Sequence, residues 1–596
     1  MMKRLISTCF IYIVCIFSNN VYSTEAKYSH GFAKYGSLKY SKDFTHFNYV
    51  NPNAPKQGQI VLSLGSSLFD KFNPFTLKGD AAPAISMLMF DTLGVSSLDE
   101  DSSFYGLIAD QVLVKDNKIV FHINEAAKFN NNDSITAKDV KFSFDTLIKY
   151  GIPTFKFLYA DIIQCIVIDN NTVSFEMSKK NDEMPLLLSS LPVFSQKWLG
   201  NKKFSDLVLD VPIASSPYLI DKYYQGRSIR YKLNPNYWAK NHPTRKGMFN
   251  FQYISFENYQ DDIAKLEALK SGSFDANIEY RAKNWAKSYT GKLFEKKILV
   301  KKEFINSNGN GMQGFAFNHR RDLFKDIRVR QALSLALDFE WMNKQLFYNS
   351  YTRLDSYFSN TVYASSTPML DLEKKYLHQA GFNPSEYEIL NKPAKNLLPN
   401  SLRLNLVKAQ ELLKQAGWEY KNGALRNKHN KIFSFEILAS NDGLSRVIAA
   451  YVRNLQKLGI TVTQRTMDSS IYQKRIEKFD FDMISIRYGD SNLPGNELWE
   501  RFSSNSAKTF GSDNVVGVND KRIDKLLQFV ISSKNKDDLI ASTRALDRIL
   551  LNNYYIIPHW YSKSHRIAYR AFLKYPKVLP LFFNAESWLI STWWHN

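Results

Sequence analysis

Cysteine is scarce in this sequence, with three among 596 residues. Cys9 and Cys15 lie in an N-terminal segment with the features of a targeting signal, so only Cys165 belongs to the main part of the chain. Cys165 stands in the apolar run IIQCIVI and is expected to be a small buried hydrophobic residue. This scarcity excludes a small secreted fold held together by disulfides.

Long apolar runs are also missing, because no later stretch approaches the roughly 18 apolar residues of a transmembrane helix. At the N-terminus, Lys3 and Arg4 precede an apolar run at 5–17 that is too short to span a bilayer. We expect residues 1–23 to be a signal peptide, cleaved between Ser23 and Thr24, and the mature protein to be soluble and periplasmic. The alternative for this segment is a core helix or an anchor.

Residue patterns of catalysis and metal binding do not occur. There is no G-x-S-x-G elbow, no H-E-x-x-H motif and no phosphate-binding lysine loop. His559 and His565 are spaced like neither a helical ligand pair nor a zinc finger, and we expect both to be structural. The S-x-x-K pattern of Ser533 and Lys536 lies in a polar linker. We therefore expect no enzymatic reaction, no metal and no cofactor.

Negative charge is in deficit, since 78 Lys and Arg oppose 57 Asp and Glu and leave a net charge of +21. A positive field would favour acidic ligands or anionic surfaces. The simpler interpretation is a set of lysines dispersed over solvated faces. No RNP-like strand, zinc finger or long basic helix is present, so we expect no nucleic-acid partner.

One glycine-rich stretch, GNGMQG at 309–314, fits the dinucleotide pattern G-x-G-x-x-G. That pattern holds a pyrophosphate only when a helix begins at its glycines. Here the strand-like FAFN and a polar turn follow, and a helix is expected only near Asp326. We expect these glycines to let the backbone cross between two lobes instead.

Two regions alternate between strand and helix. In the first, residues 249–256 alternate as a strand, residues 259–270 have helical spacing that stops at Gly272, and residues 274–280 resume as a strand.

The second region predicts β-α-β-α-β, with strands at 433–438, 460–464 and 481–488 and helices at 444–458 and 470–478. Such strands pair in parallel through right-handed crossovers. Ligands of open parallel sheets collect beyond the carboxyl ends of the strands. The candidate ligand-facing loops therefore contain Asn441 and Asp442, residues 466–469 and residues 489–491.

Together these features indicate a two-lobed α/β protein that captures a ligand by hinge closure. The expected crossings between the lobes lie near Val211 and Asn310.

Four passages carry a resemblance to a known family. They are AKFNNNDSITAKDVKFSFDTL (127–147), SPYLIDKYYQGRSIRYKLNPNYW (216–238), FKDIRVRQALSLALD (324–338) and LVKAQELLKQAGW (406–418). They resemble, in order, blocks of the family 5 extracellular solute-binding proteins, the oligopeptide and dipeptide receptors of ABC importers. The similarity runs from about residue 58 to residue 594. EYRAKNWAKSY (279–289), DFEWMNKQLF and PGNELW further resemble the Yej-type subgroup, which takes up oligopeptides, including peptide–nucleotide antibiotics of the microcin C type.

The resemblance implies a Venus-flytrap of the type II periplasmic-binding-protein class, with two lobes of mixed parallel sheets and an inserted extra domain. Domain I would be discontinuous, at 24–75, 211–310 and 550–596. Domain II would be the insertion 76–210, and domain III would be 311–549.

The resemblance also implies a peptide site. Asp490 matches an aspartate that, in oligopeptide receptors of the family, receives the peptide's α-ammonium. Arg487, Tyr488 and Gly489 match neighbouring residues that bond the peptide backbone. The alternative for Asp490 is a turn aspartate that caps Asn492.

Arg281, Asn284 and Trp285 follow a strand that we expect to be parallel, and they are candidates to bind a carboxylate and a flat group. Their alternative is a helix start that packs on its own lobe. Arg328 and Arg330 are expected to pair with acidic neighbours.

The leading interpretation is a monomeric periplasmic binding protein that delivers oligopeptides to an inner-membrane ABC permease complex. The alternatives are an exported chaperone-like protein that holds unfolded chains and, more distantly, a secreted peptidase.

Overall fold

The computed structural model describes residues 27–63, 68–259, 261–396, 401–489 and 492–596. The expected signal peptide, with its cleavage between Ser23 and Thr24, lies outside the described residues, as does Asp490. No described helix is long and apolar enough to cross a membrane.

The strands are mostly short. In chain order they are β1 (Gly31–Ala33), β2 (Gln59–Ser63), β3 (Gly94–Ser96), β4 (Ser103–Gly106), β5 (Ala109–Lys115), β6 (Lys118–Ile123), β7 (Ile162–Val167), β8 (Thr172–Met177), β9 (Tyr218–Tyr224), β10 (Ser228–Leu233), β11 (Tyr253–Glu257), β12 (Ala276–Ile278), β13 (Leu299–Ile305), β14 (Met312–Phe317), β15 (Thr352–Arg353), β16 (Trp418–Lys421), β17 (Ala424–Asn427), β18 (Ser434–Ala439), β19 (Thr461–Thr466), β20 (Met483–Tyr488), β21 (Ile556–Pro558), β22 (Trp560–Tyr561), β23 (Ser564–Arg570), β24 (Leu573–Lys574) and β25 (Trp594–His595).

The α-helices concentrate in the C-terminal half. In chain order they are α1 (Ile85–Met89), α2 (Ala137–Tyr150), α3 (Pro153–Leu158), α4 (Met184–Ser189), α5 (Asp262–Ser271), α6 (Ala282–Lys287), α7 (Lys292–Glu295), α8 (Ile327–Leu335), α9 (Phe339–Phe347), α10 (Asp371–Ala380), α11 (Leu402–Gln415), α12 (Ser445–Gln456), α13 (Ser469–Glu477), α14 (Glu497–Phe502), α15 (Lys521–Ile531), α16 (Lys536–Asn552) and α17 (Ala585–Thr592).

These elements form two bodies. Each sheet of the described residues lies either in the first body, residues 27–305 and 564–596, or in the second body, residues 312–561. The first body holds the sheets β1-β4-β3, β2-β11-β10-β9, β12-β23-β13, β5-β6-β8-β7 and β24-β25. The second body is built on the sheet β19-β18-β20-β14-β21, with the small pairs β15-β22 and β16-β17.

One apolar core runs through most of the first body. Leu207 and Ala214, on either side of Val211, both belong to this core. The chain therefore does not pass between the two bodies there, and the expected crossing near Val211 is corrected.

The first strand–helix–strand region forms the expected elements. The Asp261 carboxylate caps α5 by accepting from the Ile263 and Ala264 amides, each at 2.8 Å. The helix ends at Gly272, which has a φ of 90° and therefore suits a residue without a Cβ.

The pairing of β12 differs from the expectation. β12 pairs antiparallel with β23, where Ile278 lies opposite Ile567. Beside β2, the Asp275 amide donates to the Val61 carbonyl at 2.8 Å, while the Asp275 carboxylate accepts from the Val61 amide at 2.7 Å. The Asp275 side chain thus makes the hydrogen bond that a neighbouring parallel strand would make to β2. β12 is therefore not a parallel strand.

The predicted β-α-β-α-β region is confirmed in the second body. β18 pairs in parallel with β19 and with β20, and α12 and α13 are the crossover helices. Helix α12 buries Val447, Ile448, Tyr451 and Leu455 at helical spacing, which fixes the face that packs on the sheet.

The chain passes from the first body to the second at residues 306–311 and returns at residues 562–563. Gly311 has a φ of 53°, and a Cβ there would stand 2.5 Å from the Tyr488 carbonyl oxygen. A Cβ on Gly314 would stand 2.2 Å from the Ile557 oxygen. The GNGMQG glycines thus serve close backbone packing. The helix that follows them, α8, begins only after its cap, Asp326.

Several single residues can be compared with their expectations. Cys165 on β7 is buried, and burial raises the pKa of its thiol to about 12. Arg328 pairs with Asp326 at 2.6 Å, as expected. Arg330 does not pair with a carboxylate. Instead, it is buried and donates to the carbonyls of Phe324 at 2.7 Å and Asn553 at 3.0 Å, so that expectation was wrong.

Candidate ligand-binding cleft

The carboxyl ends of two strands, β20 of the second body and β12 of the first, lie next to the two chain crossings. In the second body, Tyr488 at the end of β20 lies opposite Met312, the first residue after the crossing at 306–311. In the first body, Ile278 at the end of β12 lies opposite Ile567, just after the return crossing. Ligands of parallel sheets collect beyond the carboxyl strand ends, and β20 pairs in parallel with β18. The end of β20, together with the end of β12 across the crossings, therefore defines a candidate cleft.

The two bodies touch on one side of this cleft through helices α6 and α9. The Tyr351 hydroxyl donates to the Tyr280 carbonyl at 3.3 Å. The Lys287 ammonium lies 5.3 Å from the centre of the Tyr348 ring. Tyr280 keeps 70% of its surface exposed and therefore remains available to a ligand. Neither Tyr280 nor Tyr351 was identified from the sequence. Tyrosine is common in this chain, and no motif marks these two residues.

A second contact between the bodies involves Asp101. Its carboxylate pairs with Lys536 of the second body at 2.9 Å and accepts from the Tyr363 hydroxyl at 3.3 Å. Burial and this carboxylate hold the pKa of Tyr363 well above its usual range. A cavity of about 540 Å³ lies here, lined by both bodies, with Tyr35 and Asn492 among its walls.

The predicted site residues of the second body reach the cleft to different degrees. Arg487 and Gly489 are exposed at the end of β20, whereas Tyr488 is buried. The Tyr488 hydroxyl donates to the Asp513 carbonyl at 3.4 Å, and burial raises the pKa of that hydroxyl. Tyr488 therefore packs in the core and supports the strand end.

Asn441 lies beyond the end of β18 and is exposed. Its side-chain oxygen accepts from the Gly443 amide at 2.8 Å, which fixes the turn that begins a short 3-10 helix at Asp442. The position of Asn441 agrees with the predicted ligand-facing loop, and the side chain of Asp442 lies outside the described part of the chain.

Arg501 on α14 was not identified from the sequence. Its guanidinium lies over the Tyr488 ring at 5.4 Å, and Nη2 is 3.7 Å from where a Cβ on Gly489 would stand. Its Nε is buried and has no hydrogen-bond partner in the part of the chain that the structure describes. A second cation, besides the predicted Arg487, therefore stands beside this strand end. A guanidinium of this kind suits a carboxylate.

The predicted first-body residues lie at the start of α6. Arg281 is exposed, pairs with Asp262, and caps the helix start, with its amide donating to Glu279 at 2.7 Å. Asn284 is half-buried on the same helix.

Trp285 is buried, and its indole nitrogen donates to Glu303 at 2.9 Å. The Lys301 ammonium lies 4.9 Å from the centre of its ring. In this structure Trp285 thus packs on its own body, which was the alternative for this segment.

The remaining titratable groups include the two histidines singled out in the sequence. Among the described residues, no group of three or more His, Cys, Asp or Glu could hold a metal ion. His559 is fully buried, with its ring 4.4 Å from that of Phe315. His565 bonds the Phe583 carbonyl at 2.9 Å. Both histidines are structural, as predicted.

Comparison with known proteins gives the family. Residues 104–510 match the bacterial extracellular solute-binding proteins, family 5. The chain is 37% identical to the protein YejA of Escherichia coli (strain K12), over 98% of this chain and 96% of that protein. It is 33% identical to the probable peptide-binding protein YejA of Agrobacterium fabrum, over 92% of each chain.

Solved structures support the fold predicted from the sequence. The oligopeptide-binding protein AppA of Bacillus subtilis, in complex with a nonapeptide, superposes with a TM-score of 0.63 at 19% identity, covering 91% of this chain and 100% of AppA. The predicted type II periplasmic-binding-protein fold is thereby confirmed. This chain belongs to the bacterial extracellular solute-binding proteins of family 5.

Proposed function

We propose that the protein captures oligopeptides in the cleft between its two bodies and delivers them to an inner-membrane ABC permease complex. The observation that carries the proposal is the placement of the carboxyl ends of β20 in the second body and β12 in the first body beside the two chain crossings. A ligand held there touches both bodies, so its binding favours the closed arrangement. AppA, which has this fold, is solved with a nonapeptide.

The two ends of a peptide need opposite charges in the cleft, because closure removes water from both. We propose Asp490, with Arg487 and Gly489 beside it, for the peptide's amino end and the adjoining backbone. Arg281, Asn284 and the loop of Asn441 and Asp442 complete the predicted set.

The proposal includes the domain division expected from the sequence. Domain II is 76–210, and domain I begins with 24–75 and 211–310. The sequence placed the last boundary between 549 and 550, but β21 and β22 pair with β14 and β15, so we move it: domain III is 311–561 and domain I resumes at 562–596. The protein acts as a periplasmic monomer after removal of residues 1–23, and it carries out no reaction of its own.

Native mass spectrometry of the purified full-length mature chain with a library of short peptides tests this function. Intact peptides bound at one per chain are the expected result. Cleaved peptides would indicate a peptidase, and capture of long unfolded segments without short peptides would indicate a chaperone-like protein. Either outcome would contradict the proposal.

A further inference from the structure

The second body contains a cavity that is separate from the cleft. It has a volume of about 320 Å³ and lies among helices α8, α11 and the end of α16, with Ser334, Leu412 and Tyr554 in its walls. A volume of this size lies at the lower end of the range for small-molecule sites. None of the cleft residues described above lines it.

Arg353 of β15 contributes the unusual feature of this cavity. Its Nε and Nη1 atoms are buried and have no hydrogen-bond partner among the described residues. Its guanidinium lies 5.3 Å from the centre of the Phe339 ring, and burial lowers its pKa to about 10. A guanidinium stays charged in proteins, and burying it without a partner is costly. Such a group therefore suits an anionic ligand.

The charges around Arg353 leave it uncompensated. The cavity is lined by Lys392 and Lys408 and by no Asp or Glu of the described chain. Lys392 is already paired with Asp355 at 2.7 Å. Lys408 is exposed on α11.

The two carboxylates whose charge acts on Arg353 are Asp338 and Glu340. Both carboxylates accept hydrogen bonds from backbone amides of other residues. Asp338 accepts from Trp341 at 3.1 Å, and Glu340 accepts from Asn396 at 3.1 Å. Because Nε and Nη1 of Arg353 have no partner within the described chain, the guanidinium fork is open to a ligand.

We propose that this cavity is a binding site for a small oxyanion, a phosphate or a carboxylate, held by the Arg353 guanidinium with Lys408 at its rim. The planar fork of arginine matches two oxygens of either group. The site shares no residue with the peptide cleft, so it is a second ligand site that stands apart from the proposed peptide function.

The test measures binding of inorganic phosphate and of acetate to the full mature chain by calorimetry at constant ionic strength. Saturable binding of at least one probe is expected. Tighter binding of phosphate than of acetate would identify a phosphate group as the ligand, and the reverse order would identify a carboxylate. Absence of saturable binding of either probe with a Kd below about 1 mM would overturn the proposal.

Arg353→Met should weaken the preferred probe by about 30-fold or more, because it removes one member of a buried charged pair. Without added anion, this variant should melt no lower than the wild type, since it no longer buries an unpaired charge. Peptide affinity should not change. Equal probe binding in Arg353→Met and wild type would refute the assignment.

A second pair of variants decides the question even if Arg353→Met does not fold. Lys408 and Lys414 are both exposed on α11, but only Lys408 lines the cavity. Lys408→Met should weaken the probe by about two- to fivefold, and Lys414→Met should leave it unchanged. The same affinity in both variants would contradict a site at this cavity.

Discussion

Arg548 and Glu373 form an ion pair in which both side chains are completely buried, with Nε 2.6 Å from the Glu373 carboxylate. The pair joins α16 to α10. The two terminal nitrogens of Arg548 donate to the carbonyls of Ser366 at 2.6 Å and Tyr387 at 3.1 Å, so the guanidinium has partners on every side.

Removing one member of this pair should be more damaging than removing both. Arg548→Met should lower the free energy of unfolding by about 3–5 kcal/mol, because it leaves the Glu373 carboxylate buried and unpaired. The double variant Arg548→Met/Glu373→Met should recover much of that loss. Chemical denaturation of the two single variants and the double variant measures the coupling, and additive effects would show that the pair does not act as a unit.

The proposed peptide site uses the Asp490 carboxylate to bind the peptide's α-ammonium. Asp490→Asn should weaken peptides with a free amine by about 30- to 5,000-fold, because a desolvated ammonium loses its counter-charge. N-acetylated peptides, already poor ligands, should change little. Calorimetry that finds unchanged affinity for free-amine peptides would reject Asp490.

Arg501 tests whether a carboxylate of the ligand also lies at this strand end, as it would for a short peptide whose two ends are both within reach. Since its guanidinium stands beside Gly489 with Nε unpartnered, Arg501→Met should weaken peptides with a free carboxylate much more than their amidated forms. An equal loss for both forms, measured in the same calorimeter, would assign Arg501 a structural role under Tyr488.

Closure should be visible in the dimensions of the molecule. A bound peptide should reduce the radius of gyration in small-angle scattering, since contacts with both bodies exist only when they approach. Asp101→Asn weakens the contact with Lys536 and should enlarge the ligand-free molecule, while saturation with peptide restores the compact form. Identical curves for all four samples would argue for a rigid protein.

The stability should fall as the pH is lowered through about 6.5, partly because of His559. Burial and the nearby Arg353 lower the pKa of His559 to about 3, so the unfolded chain binds a proton that the folded chain does not. The cost is about 1.4 kcal/mol per pH unit for this group, between about pH 6.5 and pH 3.

His559→Phe should therefore flatten the pH dependence of unfolding by about one proton in that window, while the ring still fills the space beside Phe315. His429→Gln, at an exposed position, controls for the loss of one histidine. A slope for His559→Phe identical to that of the wild type would exclude His559 as the source.

Local sequence patterns predicted the strands, helices and helix ends that depend on residues close together in the chain. The alternation of apolar residues predicted β18, β19 and β20 and their crossover helices, and Gly272 marked the end of α5, because each signal acts over a few residues. The pairing of β12 could not be predicted, since Asp275 meets Val61 from more than two hundred positions away.

The candidate site was predicted in outline only. Strand ends located the loop of Asn441 and the exposed Arg487. For Trp285 the sequence left two interpretations open, a ligand contact or packing on its own lobe, and Trp285 is buried and bonds Glu303 in its own body. Arg501 carries no motif, and its place beside Gly489 depends on how α14 packs against β20. Arg330 belongs to a family motif, but it donates to backbone carbonyls. A residue within a recognisable motif therefore need not contact the ligand.

The burial of Cys165 has a practical consequence for observing this protein in action. Cys165 is the only cysteine among the described residues. Its thiol is buried in β7, and its raised pKa keeps it protonated at neutral pH. Maleimide dyes react with exposed thiolates, so cysteines introduced on the surface of each body could be labelled without first replacing a native one. Energy transfer between two such dyes would then follow opening and closing in single molecules.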